Sequence, residues 1–285
     1  MKQTNNYIQS PLNYTGGKYK LLNQLIPLFP KNIDILIDLF GGGGNVCANV
    51  DANVIVYNEL DTNVYNIIKG IYESDDNIID KIDSIIETYK LSKTNKDGYL
   101  QLRNDWNLSE DKNWIKLYTL VLHSFNNSIR FNSKGEFNIA FGKDRSSFNP
   151  KLRKKFQQFK ELIQSKNMYF YNQSFEQLTQ NTYISSNDFW YVDPPYLITT
   201  ANYNENGGWN EKMEMLLYTE LDRLHSKGCK FALSNVIEHK GRSNNILKQW
   251  MKKYNVHYLN YNYYNCNYQS KNNDKPTIEV LITNY

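Results

Sequence analysis

Short runs of hydrophobic residues recur along the chain, and segments with helical periodicity separate most of them. The runs predict buried strands at residues 33–40, 53–57, 168–172, 188–193 and 230–235, and later segments predict helices at 211–227 and 240–254. Two final runs, 256–264 and 277–284, are joined by a polar segment and predict an antiparallel pair at a sheet edge. Strands that alternate with helices indicate an α/β fold, with a mostly parallel sheet and helices on both faces.

The middle of the chain has a different pattern, because predicted helices follow one another there without strands between them. These helices lie at 64–72, 77–90, 97–106, 112–125 and 149–166. Residues 130–142 alternate in polarity on both sides of Gly135 and predict a β-hairpin. We therefore expect a core formed by residues 1–60 and 166–285, with an inserted domain at 61–165.

The net charge of the 285-residue chain is only +4, which excludes a histone-like polycation. The charge is nevertheless uneven, because residues 143–166 hold eight Lys/Arg against two acids and residues 223–275 hold ten against two. An acidic stretch at 71–90, with six acids and two lysines, offsets them in the total. The basic stretch at 143–166 predicts either phosphate contacts or a solvated helix face, and the sequence leaves both open.

The spacing of cysteine and histidine residues excludes two kinds of site. No pair has metal-ligand spacing, so neither zinc nor a disulfide scaffold is predicted. The residues are Cys47, Cys229, Cys266, His123, His225, His239 and His257. The N-terminus lacks an apolar signal region, and no run approaches the roughly 18 residues of a membrane span. We expect a cytoplasmic protein without a metal.

Four consecutive glycines, Gly41 to Gly44, follow the first predicted strand. Missing side chains let a ligand approach the backbone closely at the carboxyl end of a strand. A dinucleotide fingerprint would need glycine where Cys47 stands, and a P-loop would need Lys-Ser/Thr after the glycines, so both are disfavoured. Glu59, after the second strand, could accept hydrogen bonds from both ribose hydroxyls of a nucleoside, with Asp61 as a competitor.

The most specific motif is Asp193-Pro194-Pro195-Tyr196, which directly follows a predicted strand. Two consecutive prolines fix the backbone and remove two N–H donors. The Asp193 carboxylate and the Pro194 carbonyl remain as acceptors beside an aromatic plane. This set suits a planar ring that carries an NH2 group.

Together with an N-terminal segment at residues 14–18 (Tyr-Thr-Gly-Gly-Lys), these motifs resemble the Dam-like family of DNA adenine-N6 methyltransferases, which use S-adenosylmethionine. The segment is similar to the family's aromatic-x-Gly-Gly-Lys, and residues 40–44 are similar to its Phe-x-Gly-x-Gly loop. Glu59 is similar to its ribose-binding acid, and residues 193–196 to its catalytic tetrapeptide. Residues 130–138 resemble the hairpin of its target-recognition domain, and residues 279–284 its C-terminal ending.

The resemblance implies a Rossmann-like core of seven strands with an antiparallel edge strand, and an inserted helical target-recognition domain that carries the hairpin. It implies a catalytic role for Asp193, Pro194 and Tyr196, with Asp193 also facing the cofactor. The other predicted cofactor contacts are Tyr14, Gly16, Gly17, Lys18, Asp38, Phe40, Gly42, Gly44 and Glu59. The predicted DNA contacts are Arg130, Asn132, Lys134, Asn138, Lys143, Arg145, Lys151 and Arg153.

The expected activity is methyl transfer from S-adenosylmethionine to an adenine flipped out of duplex DNA, in restriction-modification or as an orphan modification. Double-stranded DNA is the expected partner, with a cognate restriction endonuclease as a second candidate. We expect a monomer or weak dimer of prokaryotic or phage origin. Family members that act on GATC typically carry Asn-Gly-Leu-x-Arg and a later Pro, whereas residues 127–130 (Asn-Ser-Ile-Arg) and Ala140 stand here, so GATC recognition is not expected.

Three alternative functions remain open. A cytosine-N4 methyltransferase shares the chemistry but typically has Ser where Asp193 stands. A methyltransferase for RNA or protein amides would use the same tetrapeptide, because that motif selects a planar NH2 group and not a polymer. An inactive DNA-binding regulator would not need Lys18, Glu59 and Asp193 to be intact.

Overall fold

The computed structural model describes residues 6–181, 185–199, 208–260 and 277–285. Eight strands form one sheet in the order β3-β2-β1-β4-β5-β8-β7, and the short β6 pairs with β5. The strands are β1 (Ile33–Asp38), β2 (Ala52–Asn58), β3 (Met168–Tyr171), β4 (Asp188–Val192), β5 (Lys230–His239), β6 (Arg242–Ser243), β7 (Asn255–Leu259) and β8 (Ile278–Thr283). Every predicted strand is present, although residues 261–264 of the predicted 256–264 lie outside the described residues.

The sheet is mostly parallel, as predicted. Strands β1 to β5 pair in parallel, whereas β8 is antiparallel to both β5 and β7. The predicted pair therefore closes one edge, with β7 outermost and the antiparallel β8 inside it. The eighth strand, β6, was not predicted. It forms because Lys240 and Gly241 adopt positive φ and turn the chain back onto β5, so the predicted helix at 240–254 is wrong over its first five residues.

Ten α-helices lie in the described residues. They are α1 (Leu22–Leu25), α2 (Asn45–Asn49), α3 (Thr62–Glu73), α4 (Ile78–Thr88), α5 (Lys96–Leu108), α6 (Trp114–His123), α7 (Pro150–Gln164), α8 (Phe175–Asn181), α9 (Glu211–Ser226) and α10 (Asn245–Trp250). Residues 18–28 form a mixed helical segment, because 3-10 turns flank α1 and Pro27 lies in the second of them. Side-chain caps explain several of the starting points, since an Asp or Asn oxygen accepts backbone N–H bonds at the first turn. These caps are Asp61, Asn95, Asn113, Asn149, Asn210 and Asn244.

Two hydrophobic clusters lie on opposite faces of the sheet, because successive side chains of a strand point to opposite sides. Leu36 of β1 belongs to a cluster that includes residues of α3 to α7, whereas Ile37 belongs to a cluster that includes residues of α9 and α10. Helices thus cover both faces, as predicted. The helices of the 61–165 block share one buried cluster with the sheet, so its separation as an inserted domain remains a prediction.

The predicted hairpin is present and short. Phe131 and Phe137 form an antiparallel bridge, and the Asn132 side-chain oxygen accepts N–H bonds from Lys134 and Glu136 within the turn. Gly135 has φ +75°, which a residue with a Cβ atom rarely adopts. Within the described ranges, no helix is long and apolar enough to cross a membrane. The same ranges hold no group of three His, Cys, Asp or Glu residues arranged to bind a metal ion.

Candidate active site

The carboxyl ends of β1, β2 and β4 meet at one edge of the sheet and line a cavity of about 560 Å³. Asp38 ends β1, Glu59 follows β2, and Asp193 follows β4. Strand register aligns Asp38 with Tyr57 on one side and with Tyr191 on the other. The topology therefore brings together three acids that are far apart in sequence, since 21 residues separate Asp38 from Glu59 and 134 separate Glu59 from Asp193.

Nearly all of the predicted catalytic and cofactor residues line this cavity. They are Tyr14, Gly16, Gly17, Lys18, Asp38, Phe40, Gly42, Glu59, Asp193, Pro194 and Tyr196. Gly44 is not among the lining residues; it has φ +73° and begins α2, so its place in the fold is a backbone turn. None of the eight predicted DNA contacts lines the cavity.

The N-terminal segment reaches the cavity because α2 holds it there. Ser10 N–H donates to Asn45 Oδ1 at 2.9 Å, and Ile8 N–H donates to Asn49 Oδ1 at 2.8 Å. The Tyr14 ring then packs on the glycine loop so closely that a Cβ atom at Gly42 would lie 3.0 Å from the ring. Gly42 also has φ +50°, so both the backbone and the close approach favour glycine at this position.

Glu59 is buried and joins the glycine loop to the start of α3. Its two carboxylate oxygens accept N–H bonds from Gly42 and from Asp61, each at 2.8 Å. Burial is the main reason why the pKa of Glu59 is raised to about 7, although these two bonds oppose the shift. Asp61, the competing acid, caps α3 by accepting N–H bonds from Asn63 and Val64.

Asp38 carries an unpartnered polar atom at the edge of the cavity. Its Oδ2 accepts the Cys47 N–H at 3.3 Å, whereas its Oδ1 is buried and has no hydrogen-bond partner among the described residues. Burial, reinforced by the nearby charge of Asp193, raises the pKa of Asp38 to about 7. A buried acceptor of this kind is costly unless a ligand donor satisfies it.

Lys18, Asp193, Tyr196 and Glu279 form one polar cluster, in which Lys18 and Glu279 are buried and Asp193 and Tyr196 are half-buried. Lys18 Nζ lies 2.9 Å from Asp193 Oδ2 and 3.6 Å from Glu279 Oε1, and it donates to the Gly16 carbonyl at 2.9 Å. The Tyr196 hydroxyl lies 2.9 Å from Asp193 Oδ1 and 3.1 Å from Glu279 Oε1. Both carboxylate oxygens of Asp193 thus face a donor.

The pKa values in this cluster follow from burial and charge. Burial raises the pKa of Asp193 above its ordinary range, although the ammonium group of Lys18 opposes the shift. Burial alone would lower the pKa of Lys18, but Asp193 and Glu279 together outweigh it, so the pKa of Lys18 is raised. Lys18 is therefore a cation that partly compensates two carboxylates.

The family model for D12 class N6 adenine-specific DNA methyltransferases matches residues 14–265, which include the glycine loop and the Asp-Pro-Pro-Tyr motif at 193–196. The chain belongs to this family. The resemblance drawn from the motifs is thereby confirmed, and membership agrees with the α/β fold.

Named relatives of this methyltransferase family are similar over most of the chain. Type II methyltransferase M.FokI of Planomicrobium okeanokoites is 46% identical over 99% of the chain, and modification methylase StsI of Streptococcus sanguinis is 42% identical over all of it. The chain spans only 44% of the length of each of these two. The DNA adenine methylase of Salmonella typhi is 29% identical over 67% of the chain and 67% of its own length.

Sequence reasoning missed an aromatic wall in this cavity. The rings of Phe40, Phe175 and Trp209 lie with their centroids 5.8 Å apart in each pair. The Trp209 indole N–H donates at 2.6 Å to Glu214, a fully buried acid that also accepts from Asn235 and Asn244. Only Phe40 belonged to a recognised motif; the other two rings reach the wall from α8 and from the segment before α9.

Glu279 was also missed as a site residue. It lies on β8, where a charged residue interrupts the apolar run from 278 to 282, and it is 4% exposed. A buried charge in a strand needs a partner, so this interruption is the signal that could have identified it.

The predicted DNA contacts lie on the hairpin and around the start of α7. They differ in exposure and in the bonds that they form within the protein. Five are exposed, namely Arg130, Lys134, Lys143, Arg145 and Lys151. Arg130 Nε donates to Asn138 within the hairpin at 3.0 Å. Arg153 is half-buried, and its guanidinium group donates two hydrogen bonds to the Asp83 carboxylate, one of them at 2.7 Å. The same guanidinium group lies 4.3 Å from the centre of the Phe148 ring. Arg153 is therefore engaged within the protein.

Proposed function

We propose that this chain transfers a methyl group from S-adenosylmethionine to the N6 nitrogen of an adenine flipped out of duplex DNA. The observation that carries the proposal is the convergence of Lys18, Asp38, Glu59 and Asp193 on one cavity at the carboxyl edge of the sheet. Ligands of open α/β sheets bind at this edge. Membership of an adenine-specific family favours adenine over cytosine as the target.

The residues of the cavity fit this cofactor in charge and shape. The unpartnered Oδ1 of Asp38 suits its amino group, and the Glu59 carboxylate suits the ribose hydroxyls. The aromatic wall of Phe40, Phe175 and Trp209 suits a flat purine ring. Gly16, Gly17 and Gly42, together with Tyr14, would contact the remainder of the molecule. When bound, S-adenosylmethionine supplies a methyl group on a positively charged sulfur.

The target amine would be oriented by Asp193 and by the carbonyl of Pro194. Both accept hydrogen bonds from N6, which turns the nitrogen lone pair out of conjugation with the ring and toward the methyl group. Tyr196 would stack on the base, and Asp193 would accept the proton that N6 loses. Position and electrostatics supply most of the rate acceleration in such a site, so no covalent nucleophile is required.

Duplex binding would use the hairpin and the basic surface that follows it. The exposed cations are suited to phosphate groups, and Arg130 to a base edge or a phosphate. Flipping an adenine out of the stack costs a few kcal/mol, which these contacts would offset.

The bacterial relatives carry the names of modification methylases, which supports a role in restriction-modification with a cognate endonuclease as partner. We propose a monomer or weak dimer, with residues 61–165 as the target-recognition domain.

The proposal is tested by incubating the purified chain with isotope-labelled S-adenosylmethionine and unmethylated genomic DNA, followed by mass spectrometry of the nucleosides. We expect labelled N6-methyladenine. Asp193→Ala should abolish transfer while leaving duplex binding detectable. Glu73→Ala is a control, because Glu73 forms an exposed ion pair with Lys69 on α3 and does not line the cavity. Near-wild-type turnover by Asp193→Ala would refute the assignment.

A further inference from the structure

The donors on Asp193 pose a problem for the proposed chemistry. Asp193 must accept a hydrogen bond from the target amine, yet its Oδ1 faces the Tyr196 hydroxyl and its Oδ2 faces Lys18 Nζ, both at 2.9 Å. A hydroxyl group has a single proton to donate. If Tyr196 keeps donating to Oδ1, the amine must share that oxygen with it, whereas release of the Tyr196 proton to another acceptor leaves Oδ1 to the amine.

Glu279 offers that acceptor without movement of any heavy atom. Its Oε1 lies 3.1 Å from the Tyr196 hydroxyl and 3.6 Å from Lys18 Nζ, so it faces the same two donors as Asp193. Rotation about the Tyr196 C–O bond is enough to move the hydrogen bond from one carboxylate to the other. Glu279 reaches this position from β8, the antiparallel strand next to β5.

We propose that Glu279 is a positioning residue for the methyl transfer, which receives the Tyr196 hydroxyl and shares Lys18 when the target amine binds Asp193. This inference rests on the proposed function. Glu279 acts through Tyr196 and Lys18 and does not itself touch the adenine. It also places a second negative charge beside Asp193, so it affects when Asp193 is ionised.

The test compares kcat against pH for the wild-type chain and for Glu279→Gln, at saturating S-adenosylmethionine and unmethylated genomic DNA. Loss of a charged hydrogen-bond acceptor should lower kcat about 10- to 100-fold. The acidic limb of the profile reports ionisation in the complex. Glu279 raises the pKa of Asp193, so its neutral replacement should move that limb to lower pH.

Several groups among the described residues face Asp193, and their charges affect the pKa that the acidic limb of the kcat–pH profile reports. They are Lys18, Asp38, Tyr191, Tyr196 and Glu279. Saturation with cofactor keeps Asp38 bound to the cofactor. Lys18, Tyr191 and Tyr196 are the same in the wild-type chain and in Glu279→Gln. Glu279→Asp keeps the charge and should restore the wild-type limb with only part of the loss in kcat. Glu238→Gln, on an exposed carboxylate of β5 that pairs with Lys248, should change neither quantity.

A Glu279→Gln protein with the wild-type acidic limb overturns the inference, whether or not its kcat falls, because a purely structural role would leave the limb in place. If Glu279→Gln does not fold, Tyr196→Phe carries the test. The Tyr196 hydroxyl lowers the pKa of Asp193 before the amine binds, so its removal should shift the acidic limb of kcat/KM to higher pH and leave the limb of kcat in place. A kcat limb that shifts as far as the kcat/KM limb overturns the inference. A wild-type chain without methyl transfer would instead refute the proposed function.

Discussion

Lys18 is the residue whose removal should change stability most clearly. Its ammonium group is 5% exposed and lies 2.9 Å from Asp193 and 3.6 Å from Glu279. At an effective dielectric constant of about 20, these separations give gross attractions of about 6 and about 5 kcal/mol. Burial of the ammonium offsets several kcal/mol of this sum, so Lys18→Met should destabilise the fold by about 3–5 kcal/mol near neutral pH.

The loss should depend on pH in a defined direction. Without Lys18, the pKa of Asp193 rises further above its value in the unfolded chain, because the nearby cation no longer opposes the effect of burial. A raised carboxyl pKa penalises the folded state at high pH, and the penalty disappears as protonation becomes favourable at low pH. The destabilisation should therefore be full at about pH 8 and clearly smaller at about pH 5.

Urea unfolding followed by circular dichroism at these two pH values measures the effect. Lys248→Met is the matched control, because Lys248 forms an ion pair with Glu238 that is about one-third exposed on each side. Such surface pairs contribute less than about 1 kcal/mol. A Lys18→Met protein that loses less than about 1 kcal/mol, or whose loss is the same at both pH values, would refute the reasoning.

Three further predictions concern the ligands. Cofactor binding should strengthen from about pH 6 to about pH 8, because Asp38 and Glu59, each with a pKa of about 7, are stronger hydrogen-bond acceptors when ionised; equilibrium dialysis with a flat profile would contradict this. Asp38→Asn should weaken cofactor affinity about 10-fold in the same assay, and an unchanged Kd would show that the negative charge of Asp38 is not used. Replacing Lys151 and Lys154, the exposed lysines in the first half of α7, with alanine should lower the salt dependence of DNA affinity by up to about 1.8 in log–log slope, whereas Arg153→Ala should lower stability and leave the slope unchanged. An unchanged slope after the lysine replacements would place the DNA path elsewhere.

The site residues that could be predicted from the sequence are those that belong to contiguous motifs. Residues 41–44 and 193–196 are contiguous motifs at strand ends, so their meeting at one sheet edge follows from the parallel topology. Residues whose role depends on a distant partner were not predictable in this way. Arg153 looked like a phosphate contact because nothing near it in sequence reveals its pairing with Asp83, 70 residues away. Glu279 was overlooked for the same reason, since its donors Lys18 and Tyr196 come from two other parts of the chain.

Local conformation also limited what could be predicted. The positive φ angles at Lys240 and Gly241 produce a turn and an extra strand where helical periodicity predicted a helix. Periodicity reports which face of a helix would be buried, but it does not report a turn that sheet pairing stabilises. Gly241, near the start of the predicted helix, is the residue from which the turn could have been predicted.

The measurement that tests the account most directly is methylome sequencing of a methylation-free host that expresses this chain. The account predicts N6-methyladenine at one defined sequence motif, absent when the host expresses Asp193→Ala at the same level. It also predicts that this motif differs from GATC, because the hairpin departs from the GATC pattern at residues 127–130 and at Ala140. Modified cytosine in place of adenine, or adenine methylation that persists in Asp193→Ala, would contradict the account.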